Sequence, residues 1–218
     1  MRFAATRSRR RQAIRSYLQK HEVRKLHLGA GRNMLPGWLN TDVTNDLRSP
    51  DIVYLDARKP FPFPSASFAL VFSEHMLEHL SYRDGLHCLH ECRRVLRPSG
   101  RIRIATPSLE RLIRLFDESQ TEVERRYVEW AVDTWVEDAD AHLPGFVLNN
   151  FMRDFGHRFV YDRATLTRAL ESVGFTDVEE WRPGESGTPA LTGLERHGEL
   201  IPKEFNELET IVLEARRP

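Results

Sequence analysis

Cysteine is scarce in this chain. Only Cys88 and Cys92 occur in 218 residues, too few and too close together for a disulfide framework, which points to a reducing, cytoplasmic compartment. Long apolar runs are missing too: none approaches the ~18–20 residues of a membrane span, and no signal-type apolar stretch lies near the start. Net charge is absent, with 32 Lys plus Arg against 32 Asp plus Glu. No global field therefore draws the chain to nucleic acid or an anionic bilayer. Repeats and low-complexity tracts do not occur. The phosphate-cradling G-x-x-x-x-G-K-[ST] run is lacking. The dinucleotide fingerprint G-x-G-x-x-G fails at Met34, and its acid, expected about 20 residues on, is replaced by the much nearer Asp42. Nothing here is built to hold a pyrophosphate.

What is present is an alternation. Apolar runs at 24–28, 38–41, 51–55, 68–72 and 101–105 alternate with helical stretches, the pattern of a parallel sheet with helices on both faces. Apolar residues Leu86, Leu89, Cys92, Val95 and Leu96 form a helical stripe that Pro98-Ser99-Gly100 should end. Asp162 is expected to cap a helix that stops at Gly174. FTDVEEW and TIVLEAR read as the last two strands. The expected fold is α/β: a Rossmann-like, seven-stranded, mostly parallel sheet, with the last strand antiparallel at the edge. One domain spans 23–218.

A basic helix or arm over 1–22 precedes it, with Arg2, Arg7, Arg9, Arg10, Arg11, Arg15 and Lys20 against Glu22 alone. Such a leader can be a transit peptide or a nucleic-acid arm. Its periodicity fits a solvated helix with Ile14, Leu18 and Tyr17 packed on the domain. From about 108 to 158 the pattern turns irregular, and a helical insertion is expected over the sheet. It carries Trp130, Trp135, Phe146, Phe151 and Phe155, with Gly145 after Pro144 as a hinge, a composition suited to a lid. Trp130, Trp135 and Trp181 could cover an acceptor pocket, although core is their commoner role.

Ligands of open sheets bind outside the carboxyl ends of the strands, where Gly29, Asp42, Asp56, Glu74 and Pro107 should fall. In KLHLGAGRNMLPGWLNTD a strand breaks into glycines that allow close backbone approach, and a second short strand ends on a carboxylate suited to two ribose hydroxyls. Asp56 ends a third run in VYLDA, and FALVFSEHMLEHL should lead a fourth strand directly into a helix.

Glycine turn, acid, acid and strand-to-helix, in that order, resemble the class I S-adenosylmethionine-dependent methyltransferases over residues 24–110. LGAG, PGWLNTD and SEHMLEHL are similar to a bacterial branch of predicted methyltransferases with a shortened first helix. The resemblance implies S-adenosylmethionine as cofactor and S-adenosylhomocysteine as product. It implies Gly29, Ala30 and Gly31 beneath the methionine part, Asp42 on the ribose, and Asp56 with Ala57 at the adenine amine. Glu74 and His75 would line the methionine side. His27 stands where the family usually has an acid, which leaves open how the methionine amino group is held.

His75, Glu78 and His79 are expected on one helical face. H-x-x-E-H is also the inverted zinc-protease motif, and similar Glu-His clusters hold a divalent ion in a minority of methyltransferases. Most relatives bind no metal at this segment, and the metal-free reading is taken here. His87 and His90 should point away from Cys92, so HCLHEC is not read as a metal site. A hydroxyl acceptor needs a base, for which His79 and His157 are the candidates; His157 could equally be a structural histidine at a turn. The expected activity is methyl transfer to an oxygen or nitrogen of a small-molecule acceptor, with glycans or secondary metabolites suggested by the bacterial branch. The alternative is a non-catalytic protein of the same fold that binds nucleic acid or a partner through its basic arm. Nothing in the sequence sets the oligomeric state.

Overall fold

The computed structural model describes residues 2–43 and 51–218, with side chains from residue 8 onward; the side chains of Arg2 and Arg7 in the basic leader lie outside the described residues. Seven strands make one sheet in the order β3-β2-β1-β4-β5-β7-β6. These are β1 (Lys25–Leu28), β2 (Leu39–Asp42), β3 (Val53–Tyr54), β4 (Phe68–Glu74), β5 (Leu96–Pro107), β6 (Thr176–Trp181) and β7 (Thr210–Arg216). The chain runs outward from β1 to β2 and β3, then returns to pair β4 parallel with β1 on its other side. That reversal opens a crevice at the carboxyl ends of β1 and β4. Strand β7 is antiparallel to both neighbours, as expected of the last strand. It sits one place in from the edge, which β6 occupies.

Alternation along the central strands sorts two faces. Leu26, Leu28, Val71, Ile102 and Ile104 join the main core with α1 (Arg2–Lys20), α2 (Tyr82–Val95) and α6 (Arg163–Ser172). The leader is thus a docked helix: Ile14 and Tyr17 are buried in that core and Leu18 packs against it. The Tyr17 hydroxyl donates toward the carbonyls of Lys25 and Gly37 at the foot of β1. On the opposite face Leu70 and Phe72 pack with Leu35, Trp38, Leu191 and Leu194. No long helix separates β1 from β2; Asn40 holds the turn there through Leu35 N (3.0 Å) and Leu35 O (3.1 Å).

The cap expected at Asp162 is present, and Ser81, which the sequence did not single out, caps α2. Ser81 accepts from Asp84 N, and Asp162 from Thr165 N at 2.7 Å. One boundary differs from expectation. Pro98-Ser99-Gly100 does not separate helix from strand, because β5 begins at Leu96 and passes through it with a register shift against β4. Both Cys88 and Cys92 are buried on α2, not Cys92 alone.

The insertion after β5 holds α3 (Leu109–Arg114), α4 (Glu122–Trp135) and α5 (Pro144–Arg153). They share a second core with Ile201 and with Phe205 of α7 (Lys203–Glu209). Pro144 and Gly145 lie in the first turn of α5, so the link between the two longer helices is 136–143 and Gly145 is not a hinge. Residues 182–209, between β6 and β7, form a second excursion that composition did not mark. It folds back across the sheet and over the crevice.

Candidate functional site

The crevice holds three adjoining cavities that meet at His75. The first, about 440 Å³, is lined by His27, Gly29, Ala30, Glu74, His75 and His197, among others. The second, about 510 Å³, takes in Gly29, Gly31, Asp42, Asp56, Ala57 and His79. The third, about 260 Å³, lies under Trp130, Trp135, Phe151 and Phe155, with His79, His157 and Glu209 on its polar side. Every site residue expected from the sequence lines at least one of them. Trp130 and Trp135 are walls of the third cavity; Trp130 also packs against the second core, whereas Trp135 is 44% exposed.

The glycine turn has two separate causes. Gly29 sits at φ +66°, and a Cβ there would fall 2.4 Å from Met76 Cγ. Side-chain packing of Met76 therefore excludes any larger residue. Gly31, at φ +49°, would place a Cβ in open space, and its amide donates to Asp42 Oδ2 at 2.9 Å. The β1 turn and the β2 carboxylate are thus one unit. Asp56 Oδ1 and Oδ2 accept from the Arg58 guanidinium at 2.8 and 3.0 Å. That pairing holds the Asp56 carboxyl below its ordinary value.

His27 is buried and lies against Phe72, with Nδ1 3.1 Å from Asn40 Oδ1. Burial pushes its pKa down to about 4, against the pull of Asn40 and Asp42. It is neutral at physiological pH and supplies no negative charge. The carboxylate at this end is Glu74, at the tip of β4. It accepts from the backbone amides of Arg196 (2.8 Å) and His197 (2.9 Å) and from Asn33 Nδ2 (3.2 Å). Glu74 therefore ties the second excursion to the sheet as it lines the first cavity.

The SEHMLEH segment does not run from strand straight into α-helix. His75 adopts φ +43°, and Leu77–His79 form a single 3-10 turn. His75, Glu78 and His79 thus do not share an α-helical face. The left-handed residue turns the chain at the end of β4, and His75 Nδ1 still comes within 3.3 Å of Glu78 Oε1. Glu78 is fully buried; Oε2 accepts from Thr106 Oγ1 at 3.0 Å. Burial opposes charge on both members of the pair, but their mutual attraction prevails, raising the His75 pKa and lowering that of Glu78. The Glu78 carbonyl receives the amides of Arg158 and Phe159, which brings His157 beside His79. His157 has its pKa lowered by burial.

Sequence reasoning missed His197 and Glu209. The His197 ring lies 3.9 Å from that of His75, and its Nε2 is 3.1 Å from Glu209 Oε1. Glu209 also accepts from the Tyr127 hydroxyl at 2.5 Å. Their segments, LERHG and FNELE, read as exposed polar turns, and no local signal separates them from such turns. Among the described residues two groups have the ligand chemistry of a metal site: His75 with His197 and Glu209, and Glu78 with His79 and His157.

The arrangement has counterparts. A SAM-dependent methyltransferase from Archaeoglobus fulgidus is 19% identical; 99% of this chain aligns with 94% of that one at a TM-score of 0.53. A chain of the Haloferax volcanii complex containing the Trm112 methyltransferase activator is 16% identical, covering 100% and 94% at 0.50. These likenesses establish the Rossmann-like methyltransferase fold. A further likeness is in sequence. Residues 27–104 match the methyltransferase domain family. That stretch runs from His27 through the glycine turn, Asp42, Asp56 and His79 to Ile104 in β5, and so contains the first two cavities' strand-end walls. Match and fold together support a methyltransferase with S-adenosylmethionine as its cofactor.

The residues present fit that cofactor. The second cavity is of ligand size, and its strand-end carboxylate lies beside a glycine whose missing Cβ leaves open space. When bound, S-adenosylmethionine supplies an activated methyl group on a sulfonium.

Proposed function

We propose that this chain methylates an oxygen or nitrogen of a small-molecule acceptor. The carrying observation is the convergence of three cavities on His75. In this reading the second cavity holds the nucleoside, with Asp42 accepting from the ribose and Asp56 and Ala57 at the adenine. The first cavity holds the methionine end against Gly29, Ala30, Gly31, His27 and Glu74. The third takes the acceptor under the aromatic wall. Glu74 bears the negative charge near the methionine end that neutral His27 lacks, in support of an ammonium there.

The protein's own part is to orient and to exclude water. The aromatic wall desolvates the acceptor, and His75 stands at the junction between donor and acceptor chambers. Loss of the acceptor's proton is assigned to His79 and His157, whose rings lie 5.0 Å apart on the polar wall. Burial keeps His157 neutral, which suits a proton-accepting role. The helices over 108–158 serve as a lid. The docking of α1 through Ile14 and Tyr17 supports a structural role for the basic leader in preference to a nucleic-acid arm.

Calorimetry with S-adenosylmethionine and S-adenosylhomocysteine should give micromolar binding, about −8 kcal/mol. Asp42→Ala should weaken it by about 1–3 kcal/mol through loss of a charged acceptor. Absence of binding by the intact protein rejects the reading.

A further inference from the structure

Four aromatic rings wall the third cavity, each steeply angled to the next. Trp130 and Trp135 meet at 90° with centroids 6.2 Å apart, Trp135 and Phe155 at 88° and 5.4 Å, and Phe155 and Phe151 at 74° and 6.0 Å. Two come from α4, one from α5 and one from the turn after it, so tertiary structure assembles them and not a local motif. Rings at right angles around one space offer it π faces, whose partial charge is negative. Phe155 is half exposed yet holds a left-handed backbone at φ +50°. That conformation is costly for a bulky residue, and burial of the ring does not repay it. Strain retained at the rim of a cavity points to a role in binding.

The polar side of the cavity holds more carboxylate than cation. Glu78 is balanced by His75, 3.3 Å away. Glu209 is buried, and its partners are the Tyr127 hydroxyl at 2.5 Å and His197 Nε2 at 3.1 Å. The rings of His75 and His197 lie 3.9 Å apart, a separation at which charge on one opposes charge on the other. One imidazolium therefore serves two carboxylates. Among the described residues no lysine or arginine lines the cavity. A purely apolar acceptor needs neither the carboxylate nor the π faces, and an anionic one is repelled by both. A cation is attracted by both.

We propose that the acceptor is a small basic amine, held as its ammonium against Trp130, Trp135, Phe151, Phe155 and Glu209. The inference rests on the third cavity being the acceptor chamber, and it narrows oxygen or nitrogen to nitrogen. The physical reason is where charge goes. Methylation of an amine moves one positive charge from sulfur to nitrogen, whereas methylation of an oxyanion cancels two charges. A chamber that attracts cations stabilises charge as it develops on nitrogen and disfavours the oxyanion. His157 Nδ1 lies 2.8 Å from the Phe151 carbonyl. A carbonyl can only accept, so Nδ1 carries the proton and Nε2 keeps its lone pair. The ammonium gives its proton to that Nε2. The freed nitrogen lone pair takes the methyl as the carbon–sulfur bonding pair returns to sulfur. The products are the methylated ammonium, S-adenosylhomocysteine and a His157 imidazolium that releases its proton to solvent.

The test uses the full-length protein saturated with S-adenosylhomocysteine and two probes of one shape: choline, and the neutral alcohol in which tert-butyl replaces its trimethylammonium group. Each carries a methyl singlet, so titrations followed by NMR line width give both affinities. Choline should bind at least about 10-fold more tightly than the alcohol. Trp135→Leu and Phe155→Leu should each weaken choline and leave the alcohol unchanged, while Trp135→Phe, which keeps a ring, should retain the preference. Glu209→Gln should lower it without changing side-chain volume. Phe116→Ala, exposed and outside the cavity, should alter neither probe. Circular dichroism checks that each variant is folded; Trp135, itself exposed, gives a variant that does not disturb the core. Equal affinity for the two probes, no saturable binding of choline, or a preference that the folded Trp135→Leu variant keeps, overturns the ammonium acceptor. Failure of the wild type to bind S-adenosylhomocysteine would instead overturn the methyltransferase reading.

Discussion

His27 should make the protein acid-labile in a way that one substitution can isolate. Its ring is 1% exposed and burial depresses its pKa from 6.5 to about 4. In the unfolded chain the imidazole takes up a proton as pH falls through 6.5; in the native state it does so only near 4. Between those values the unfolded state binds more protons, so stability falls as pH falls. Relative to pH 8, the linkage relation with these two pKa values gives a loss of about 2 kcal/mol at pH 5 and about 3 kcal/mol at pH 4. His27→Gln removes the titration and keeps a donor for Asn40. The variant should be the less stable protein at pH 8, since packing against Phe72 is altered, but its stability should decline less on acidification. Urea unfolding of both proteins at pH 8, 6, 5 and 4 measures the difference. Other ionisable groups are common to both proteins and cancel. A wild-type-minus-variant stability that does not change between pH 8 and pH 4 would refute the neutral, buried imidazole.

Two further outcomes follow from the second excursion and the insertion. Arg103 is fully buried between Glu195 (2.6 Å) and Glu214 (2.7 Å), so Arg103→Met strands two buried carboxylates and should cost about 3–5 kcal/mol, read as a lower urea midpoint; adding Glu195→Gln and Glu214→Gln should restore part of it. For the lid, limited proteolysis should cut first in the 136–143 link and slow with S-adenosylhomocysteine; equal resistance with and without ligand would make the segment fixed core.

The strands that build the crevice were legible because alternation and apolar runs are local signals. The Gly29–Asp42 unit was legible too, although the cause of Gly29 was not. Its neighbour is Met76, just past the end of the adjacent strand β4 and far along the chain, so the packing of Met76 explains the missing Cβ. The segment after β4 misled for a related reason. HMLEH has helical spacing, but His75 must turn the chain at the sheet's end, where its amide donates to Ala105 O at 2.9 Å. Tertiary hydrogen bonding there overrides local propensity. The aromatic wall was half legible: composition marked Trp130 and Trp135, and only the placement of Leu200 and Ile201 opposite them makes a cavity. Residues 182–209 were not legible at all. Their anchors, Glu74 and Arg103, lie 79 or more residues away in sequence, and pairing over that distance leaves no periodic trace.

Those anchors explain why a sheet face ordinarily filled with aliphatic side chains carries buried charge here. Arg103 points from the middle of β5 to Glu214 on β7 and reaches beyond it to Glu195 and the carbonyls of Arg182 and Glu185. Glu74 catches the very next residues, taking the amides of Arg196 and His197. One ion pair and one carboxylate clamp thus fix three consecutive residues over the sheet. A hydrophobic face could bury the same area, but it would not set the register of a segment with no regular structure, whereas a bonded charge tolerates little displacement. The register matters because His197 must meet His75 and Glu209 at once, and Leu200 lines both the first and the third cavity. The buried charges therefore act on the site through position: they hold a loop that the sequence alone would leave free against the point where the three cavities meet.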